Sequence, residues 1–217
     1  RDFIKDYLGP AFEKAGLDTE LWLGTINGPF MDFMVPGSAP FCEHYDQFAN
    51  TVLSDEKARS YITGIGLQWG GKHVIMQIRD SYPYLRYMNT ESECGDGQNS
   101  WEHMEYIFNQ MWFYIRNGAE RYTYWNMALK DDSISSWGWE QNSLCTVNPK
   151  TGELKKQPEF YLMKHLSHFV KNGAKVLATT GHFTTNTMAF ENTDGSIILV
   201  VGSNMNHDRE FAFKYKD

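Results

Sequence analysis

Cysteine is scarce in this sequence, which has only Cys42, Cys94 and Cys145 among its 217 residues. No two of them form a C-x-x-C pair, so the spacing gives neither a zinc site nor a disulfide framework. A count this low is typical of a reducing compartment. It is equally typical of a secreted bacterial enzyme that uses few cysteines.

Basic clusters and long apolar runs are also missing. The 20 basic residues are outnumbered by 27 acidic ones, and the net charge is −7. Without a basic stripe, nucleic acid and anionic membrane surfaces are poor partners. No apolar run approaches the roughly 18 residues that a membrane-spanning helix needs. The chain is 41% apolar and 15% aromatic, so we expect a folded protein with a sizeable core.

Residues 1–171 alternate between helical and extended patterns. Apolar side chains at steps of three and four predict a helix over residues 1–15, with a break or kink at Gly9-Pro10. Asn99 and Glu102 fit a capping box at the start of a later helix. The alternation predicts a parallel sheet with helical crossovers, α/β in class. The predicted strands are residues 20–26, 62–69, 86–91 and 121–129, and predicted helices include residues 48–61, 72–81 and 158–171.

From Ala174 the period changes to short alternating segments, which predict antiparallel strands. Four strand–helix units cannot close an eight-stranded barrel, and the chain opens on a helix. We therefore predict the C-terminal half of a (β/α)8 TIM barrel over residues 1–173 and part of an antiparallel β-sandwich over residues 174–217. The N-terminal half of the same barrel is the expected partner, since it would cover the open sheet edges. The predicted tail strands are residues 175–180, 186–191, 196–202 and 210–216.

Polar and aromatic residues follow each predicted barrel strand. In a TIM barrel these C-terminal strand ends converge on the active-site face. An indole stacks on the face of a sugar and amides bind its hydroxyls, so this combination indicates a carbohydrate substrate. The residues concerned are Asn27, Gln68, Trp69, Glu91, Glu93, Trp125 and Asn126.

Glu91 and Glu93 stand two residues apart. A glycosidase needs two carboxyl groups that flank the scissile bond, and two residues at one strand end cannot straddle it. At most one of the pair therefore reacts. The alternative is that both are solvated turn residues.

The segment Thr-Glu-Ser-Glu-Cys-Gly at residues 90–95 resembles the nucleophile segment of glycoside hydrolase family 30, the glucocerebrosidase family. Residues 1–10 resemble the helix after the family's acid/base strand. Residues 124–129 resemble its last barrel strand, and residues 156–161 resemble the start of its final barrel helix. These matches lie in order across nearly the whole chain.

The resemblance implies a retaining hydrolase in which Glu93 is the nucleophile. Trp125 would line the sugar subsite beside Asn126, and Glu91 would help to hold the site. The family's acid/base glutamate lies in an Asn-Glu-Pro segment that this chain lacks, so it is expected in the N-terminal half. No metal or organic cofactor is implied.

Expected substrates are β-glucosides, including β-1,6-glucan or glucosylceramide. Animal members have a histidine and a tyrosine where this chain has Gln68 and Gly70, so a glucosylceramide preference is not implied. The expected location is extracellular or periplasmic.

Other features leave alternatives open. Trp137 and Trp139 could wall a sugar subsite or cap the barrel mouth. His165 and His168 are one helical turn apart, and we interpret them as structural or surface residues because no third ligand is evident. Cys94 is interpreted as a packing residue rather than a nucleophile. A different class of function is a non-catalytic half-barrel that binds carbohydrate.

Overall fold

The computed structural model describes residues 1–28, 49–182 and 184–215. The chain forms two compact units, Arg1–Lys164 and His165–Asp217. The domain boundary predicted after residue 173 stays a prediction. Cys42 and Phe48, the first residue of a predicted helix, lie outside the described residues.

The first unit contains a four-stranded sheet in the order β1-β2-β3-β4. All three neighbouring pairs are parallel, as the sequence predicted. Parallel neighbours need crossovers, and helices supply those after β2 and β3. The strands are β1 (Leu21–Ile26), β2 (Ile62–Gln68), β3 (Arg86–Glu91) and β4 (Ala119–Tyr122).

The helices confirm most of the predicted segments. A π-helical segment (Ile4–Leu8) leads into α1, and Pro10 lies in the first turn of α1, so helix continues across the predicted break. A 3₁₀ turn (Trp69–His73) precedes α3. The α-helices whose full extent is described are α1 (Gly9–Ala15), α2 (Glu56–Arg59), α3 (Ile75–Ser81), α4 (Trp101–Arg116) and α5 (Pro158–Phe169).

The main core lies between the sheet and its crossover helices. Large side chains alternate along β2 with glycines, so Ile65 and Leu67 are fully buried while Gly64 and Gly66 occupy the opposite face. A Cβ added at Gly66 would lie 2.9 Å from Thr90 Cγ2 of β3. Small residues on this second face therefore let β2 and the end of β3 approach closely.

The predicted capping box at Asn99 is wrong by one residue. Ser100 caps α4, because its Oγ accepts a hydrogen bond from the His103 backbone at 3.2 Å. Asn99 has a positive φ of 50° and uses its side chain elsewhere, donating to Ser133 Oγ and accepting from the Ser143 backbone. Sequence spacing could not separate two adjacent residues that both suit a cap.

The predicted strand over residues 121–129 is also wrong in extent. β4 ends at Tyr122, and the chain turns away after Trp125. The Asn126 and Met127 carbonyls accept hydrogen bonds from Leu144 and Cys145, so the next residues join a second sheet. That sheet consists of β5 (Ala128–Lys130), which includes the last two residues of the predicted strand, β6 (Cys145–Val147) and β7 (Leu154–Lys156).

The second unit contains an antiparallel sheet in the order β10-β9-β8, which confirms three of the predicted tail strands. A turn at Asn192–Ser196 joins two of them, as expected. The predicted strand at 210–216 is wrong over residues 210–215, which form no ladder, and residue 216 is not described. An alternating pattern becomes a strand only when another strand pairs with it. The sandwich stays a prediction. The strands are β8 (Lys175–Leu177), β9 (Thr187–Glu191) and β10 (Ile197–Val201).

Candidate active site

Hydrogen bonds join the C-terminal ends of neighbouring strands in the parallel sheet. After β1, Asn27 Oδ1 accepts from the Gly70 backbone at 3.0 Å. At the ends of β2 and β3, Gln68 Nε2 donates to Glu91 Oε2 at 3.0 Å. After β3, Ser92 Oγ accepts from the Trp125 backbone at 2.9 Å. The structure thus brings four of the sequence-predicted segments to one end of the sheet.

A shift in strand register lets Gln68 and Glu91 meet. Leu67 pairs with Asn89, but Gln68 pairs with Glu91, so β3 has one extra residue at Thr90. A bulge of this kind re-aims the side chain that follows it. Glu91 therefore reaches the face that Gln68 occupies, instead of the buried face of Leu67.

Glu91 is partly withdrawn from water. Its side chain is half-buried, and this burial raises the pKa of the Glu91 carboxyl above its ordinary value. Gln68 is a neutral donor, so it stabilises the ionised form without supplying a charge. The carboxylate is thus oriented at the strand end by one amide.

Glu93 is held by another part of the fold. Its Oε2 accepts a hydrogen bond from Tyr106 Oη of α4 at 2.6 Å. Lys72 Nζ donates to the same Tyr106 oxygen at 3.1 Å, and Gln110 Nε2 lies 3.4 Å from it. The two neighbouring glutamates therefore have separate partners, one on a strand and the other on a crossover helix.

The loop after Glu93 rests on a polar cluster that no sequence pattern indicates. The Asn142 backbone donates to the Cys94 carbonyl at 2.6 Å, and Asn142 Oδ1 accepts from the Asn99 backbone. Asn142 Nδ2 in turn donates to Glu159 Oε1 at 2.9 Å, and His103 Nδ1 lies 3.1 Å from that oxygen. Residues so far apart in sequence give no local signal of this contact.

The Asn142–Glu159 pair at the centre of the cluster is closed to solvent. Glu159 is fully buried, and the described structure gives no hydrogen-bond partner to Glu159 Oε2, His103 Nε2 or Tyr124 Oη. Burial, with the nearby Glu159 carboxylate, raises the pKa of Tyr124 far above its ordinary value, so this phenol stays neutral.

Three indoles follow one another from the strand end outward. Trp125 and Trp137 are nearly parallel, with ring centroids 6.4 Å apart and 11° between planes. Trp139 lies 5.9 Å beyond Trp137 and is tilted by 41°. Trp137 and Trp139 are 64% and 62% exposed. Asn126 donates to Gln141 Oε1 at 3.0 Å, which ties the end of this tryptophan hairpin (residues 131–141) to the strand end.

Trp69 and Cys94, two further residues considered from the sequence, adjoin this arrangement. Trp69 lies in the 3₁₀ turn, with Lys72 Nζ 5.8 Å from its ring centroid. Burial raises the pKa of the Cys94 thiol, which disfavours the thiolate that a nucleophile needs.

Within residues 1–28, 49–182 and 184–215, no three acidic, histidine or cysteine side chains come together as a metal site. In those same ranges, no helix is long and apolar enough to cross a bilayer.

Comparison with known proteins agrees with the resemblance. The family model described as the glycosyl hydrolase family 30 TIM-barrel domain matches residues 1–170. Lysosomal acid glucosylceramidase of Mus musculus is 26% identical over 96% of this chain and 41% of its own length. An endo-1,6-β-D-glucanase of Trichoderma harzianum is 26% identical over 95% of this chain and 40% of its own length. The chain thus spans about two fifths of these curated relatives.

Solved structures have the same fold. An endo-β1,6-glucanase superposes with a TM-score of 0.73 and 26% identity, over 91% of this chain and 44% of that one. SrfJ from Salmonella typhimurium superposes with a TM-score of 0.73 and 18% identity, over 92% of this chain and 44% of that one. At this lower identity the likeness concerns the fold alone.

Proposed function

The chain belongs to glycosyl hydrolase family 30, and on this premise we propose that its site hydrolyses β-glucosidic bonds with retention at the anomeric carbon. The observation that carries the proposal is the half-buried Glu91 carboxylate, which Gln68 orients at the end of the parallel sheet. A carboxylate in this position can attack the anomeric carbon and form a covalent glycosyl-enzyme, which water then hydrolyses.

The attacking residue is one of two neighbouring carboxylates. The sequence resemblance assigns attack to Glu93, but the contacts support Glu91. Glu93 is bonded to Tyr106 on a crossover helix, whereas Glu91 shares the strand-end face with Gln68. In TIM barrels the reacting side chains project from strand ends. We therefore assign attack to Glu91 and give Glu93 the role of fixing the following loop to α4.

The second catalytic group is proposed to come from the N-terminal half of the barrel. A retaining glycosidase needs a carboxylic acid that protonates the leaving oxygen and then activates water, roughly 5–5.5 Å from the nucleophile. The sequence resemblance supports this arrangement, because the family's Asn-Glu-Pro acid/base segment does not occur among these residues. The active form would then be the complete barrel, meaning this chain together with that half.

The sugar itself would be held by the predicted binding residues. Trp125, whose backbone donates to Ser92 Oγ next to Glu91 in sequence, offers an indole face, while the amide oxygens of Gln68 and Asn126 can accept from hydroxyl groups. The named relatives support glucosylceramide or β-1,6-glucan as substrate. An extracellular or periplasmic location stays a prediction, which cell fractionation would test.

Labelling with a 2-fluoro β-glucosyl fluoride tests both the mechanism and the residue. Such a probe forms a slowly hydrolysed glycosyl-enzyme, and mass spectrometry of the digested complete barrel identifies the esterified glutamate. We expect the label on Glu91. Glu91→Gln should lower kcat on an aryl β-glucoside by more than about a thousandfold. The matched variant Glu93→Gln, which keeps an acceptor for Tyr106, should lower it by about tenfold or less.

The other outcomes are equally informative. A label on Glu93 would return the nucleophile to the residue that the resemblance named.

The exposed indoles of Trp137 and Trp139 favour one second candidate, a non-catalytic carbohydrate-binding module. Oligosaccharide binding without label or turnover in the complete barrel would establish that function and end the hydrolase proposal.

A further inference from the structure

We propose that Trp125, Trp137 and Trp139 form a stepped platform that binds successive sugar units of one glucan chain. The site would then act on an oligosaccharide or polysaccharide rather than on a single glucose attached to a lipid. This inference rests on the proposed function, because it concerns the substrate class of the same site.

The ring geometry fits a chain that leaves the strand end. Trp125 and Trp137 are nearly parallel at a centroid distance of 6.4 Å, which is an offset stack that leaves part of each indole face open. Trp139 continues the series at 5.9 Å with a 41° tilt. Each step is comparable with the length of one sugar unit, so neighbouring rings can contact neighbouring sugars.

The tryptophan hairpin is fixed at its base. Ser133 and Gln141 are buried, and the Gln141 backbone donates to the Ser133 carbonyl at 2.9 Å. Asn99 Nδ2 donates to Ser133 Oγ and Asn126 Nδ2 donates to Gln141 Oε1. A binding surface that is already ordered loses little conformational entropy when its ligand binds.

The tip of the hairpin is closed by its own hydrogen bonds. The Ser135 backbone donates to the Trp139 carbonyl at 2.8 Å, and Gly138 has a positive φ of 80° in the turn between the two tryptophans. The large exposure of Trp137 and Trp139 therefore belongs to a defined turn that presents both indoles.

The chemistry of the hairpin favours sugar over lipid. Lipid chains gain binding energy from contiguous aliphatic surface, and Ile134 is the one aliphatic side chain in the tryptophan hairpin. Indoles among polar groups suit sugars, which present C–H faces and hydroxyl edges together. The polar and acidic neighbours are Asp131, Asp132, Ser135, Ser136 and Glu140.

The test compares substrates of different length in the complete barrel. Trp137→Ala, Trp139→Ala and the double variant are assayed on an aryl β-glucoside and on β-1,6-linked gluco-oligosaccharides of increasing length. The ratio of kcat/KM on the long oligosaccharide to that on the aryl glucoside should fall by about tenfold per ring removed, because each substitution removes one stacking contact with the longer substrate, and tenfold corresponds to about 1.4 kcal/mol. Tyr84→Ala is the control, because Tyr84 is 62% exposed and precedes β3 at the opposite end of the sheet.

Two results would overturn the platform. One is an unchanged ratio in the double variant. The other is a loss on glucosylceramide in detergent micelles as large as that on the oligosaccharides. Trp137→Phe, which keeps a ring, should restore most of the ratio and guards against a folding defect in the alanine variant.

A failure of the proposed hydrolase function can be distinguished from a failure of the platform. If no glycoside is hydrolysed at all, calorimetric titration of the same oligosaccharides still reports the platform. Affinity that rises with chain length in the parent protein, and no longer rises in the double variant, would support it without any catalysis. Affinity independent of chain length would overturn it.

Discussion

Gln68 and Glu91 lie at the ends of adjacent parallel strands, and a 3.0 Å hydrogen bond runs from the Gln68 amide to the Glu91 carboxylate. The bond depends on the extra residue in β3, which brings Glu91 into register with Gln68. The bond distinguishes Glu91 from Glu93, because the Glu93 carboxylate accepts a hydrogen bond from Tyr106 instead. Two residues that look equivalent in sequence therefore have different surroundings.

Gln68→Leu should move the acid limb of the pH profile to higher pH. Burial already raises the pKa of Glu91, and loss of a donor to its ionised form raises that pKa further. An attacking carboxylate must be ionised, so kcat/KM on an aryl glucoside would begin to fall at a higher pH as the solution is acidified. Gln77→Leu on the exposed side of α3 is the control. An unmoved acid limb would count against Glu91 as nucleophile.

Tyr106→Phe should have a small effect on kcat. It removes the 2.6 Å hydrogen bond to Glu93, and such a bond contributes up to about 1.5 kcal/mol, equivalent to about tenfold. Steady-state kinetics of the complete barrel measures the change. A loss of a thousandfold would show that Glu93 takes a direct part in the reaction.

Glu159→Leu should destabilise the fold by roughly 2 to 4 kcal/mol, because it leaves the buried Asn142 Nδ2 donor and the His103 ring nitrogen Nδ1 without their shared partner. Glu159→Gln keeps an acceptor oxygen and should retain most of the stability. Urea unfolding measures both. Glu153→Leu, at an exposed position, should change the free energy of unfolding by about 0.5 kcal/mol or less. Equal losses in the Leu and Gln variants would contradict the acceptor role.

Gly95→Ala should cost more stability than Gly152→Ala. Both glycines have a positive φ near 70°, so each substitution carries about 1 to 2 kcal/mol of backbone strain. A Cβ at Gly95 would also lie 2.6 Å from Asn142 Cγ, whereas a Cβ at Gly152 meets nothing within 4 Å. Asn142 is fully buried and cannot move aside. Similar unfolding free energies for the two variants would show that the loop after Glu93 is less tightly packed than the structure has it.

The parts of the fold that the sequence predicts are those with a local pattern of apolar and turn residues. β2 and β3 were found to within one residue at each end, because their apolar runs are bounded by turn signals. β6 and β7 are not indicated by the sequence because each has three residues, too few for a period to emerge, and β5 shares only its first two residues with a predicted strand. The tail segment at residues 210–215 shows the opposite error, a clear alternation without a paired neighbour.

The candidate site likewise has one part that the sequence predicts and another that depends on distant residues. Strand order alone predicts that Gln68, Glu91 and Trp125 lie at one end of the sheet, since the C-terminal ends of parallel strands lie on the same side. The choice between Glu91 and Glu93 was different. It depends on a bulge at Thr90 and on a tyrosine in the next helix.

The sequence by itself determined the family and the parallel α/β sheet, because each is carried by a motif or a period along the chain. Only the tertiary structure decided which carboxylate Gln68 orients, how Glu159 supports the loop through Asn142, and that Trp137 continues the stack from Trp125. Those relations join residues distant in sequence, and they follow from strand register and packing, which no short stretch of sequence encodes.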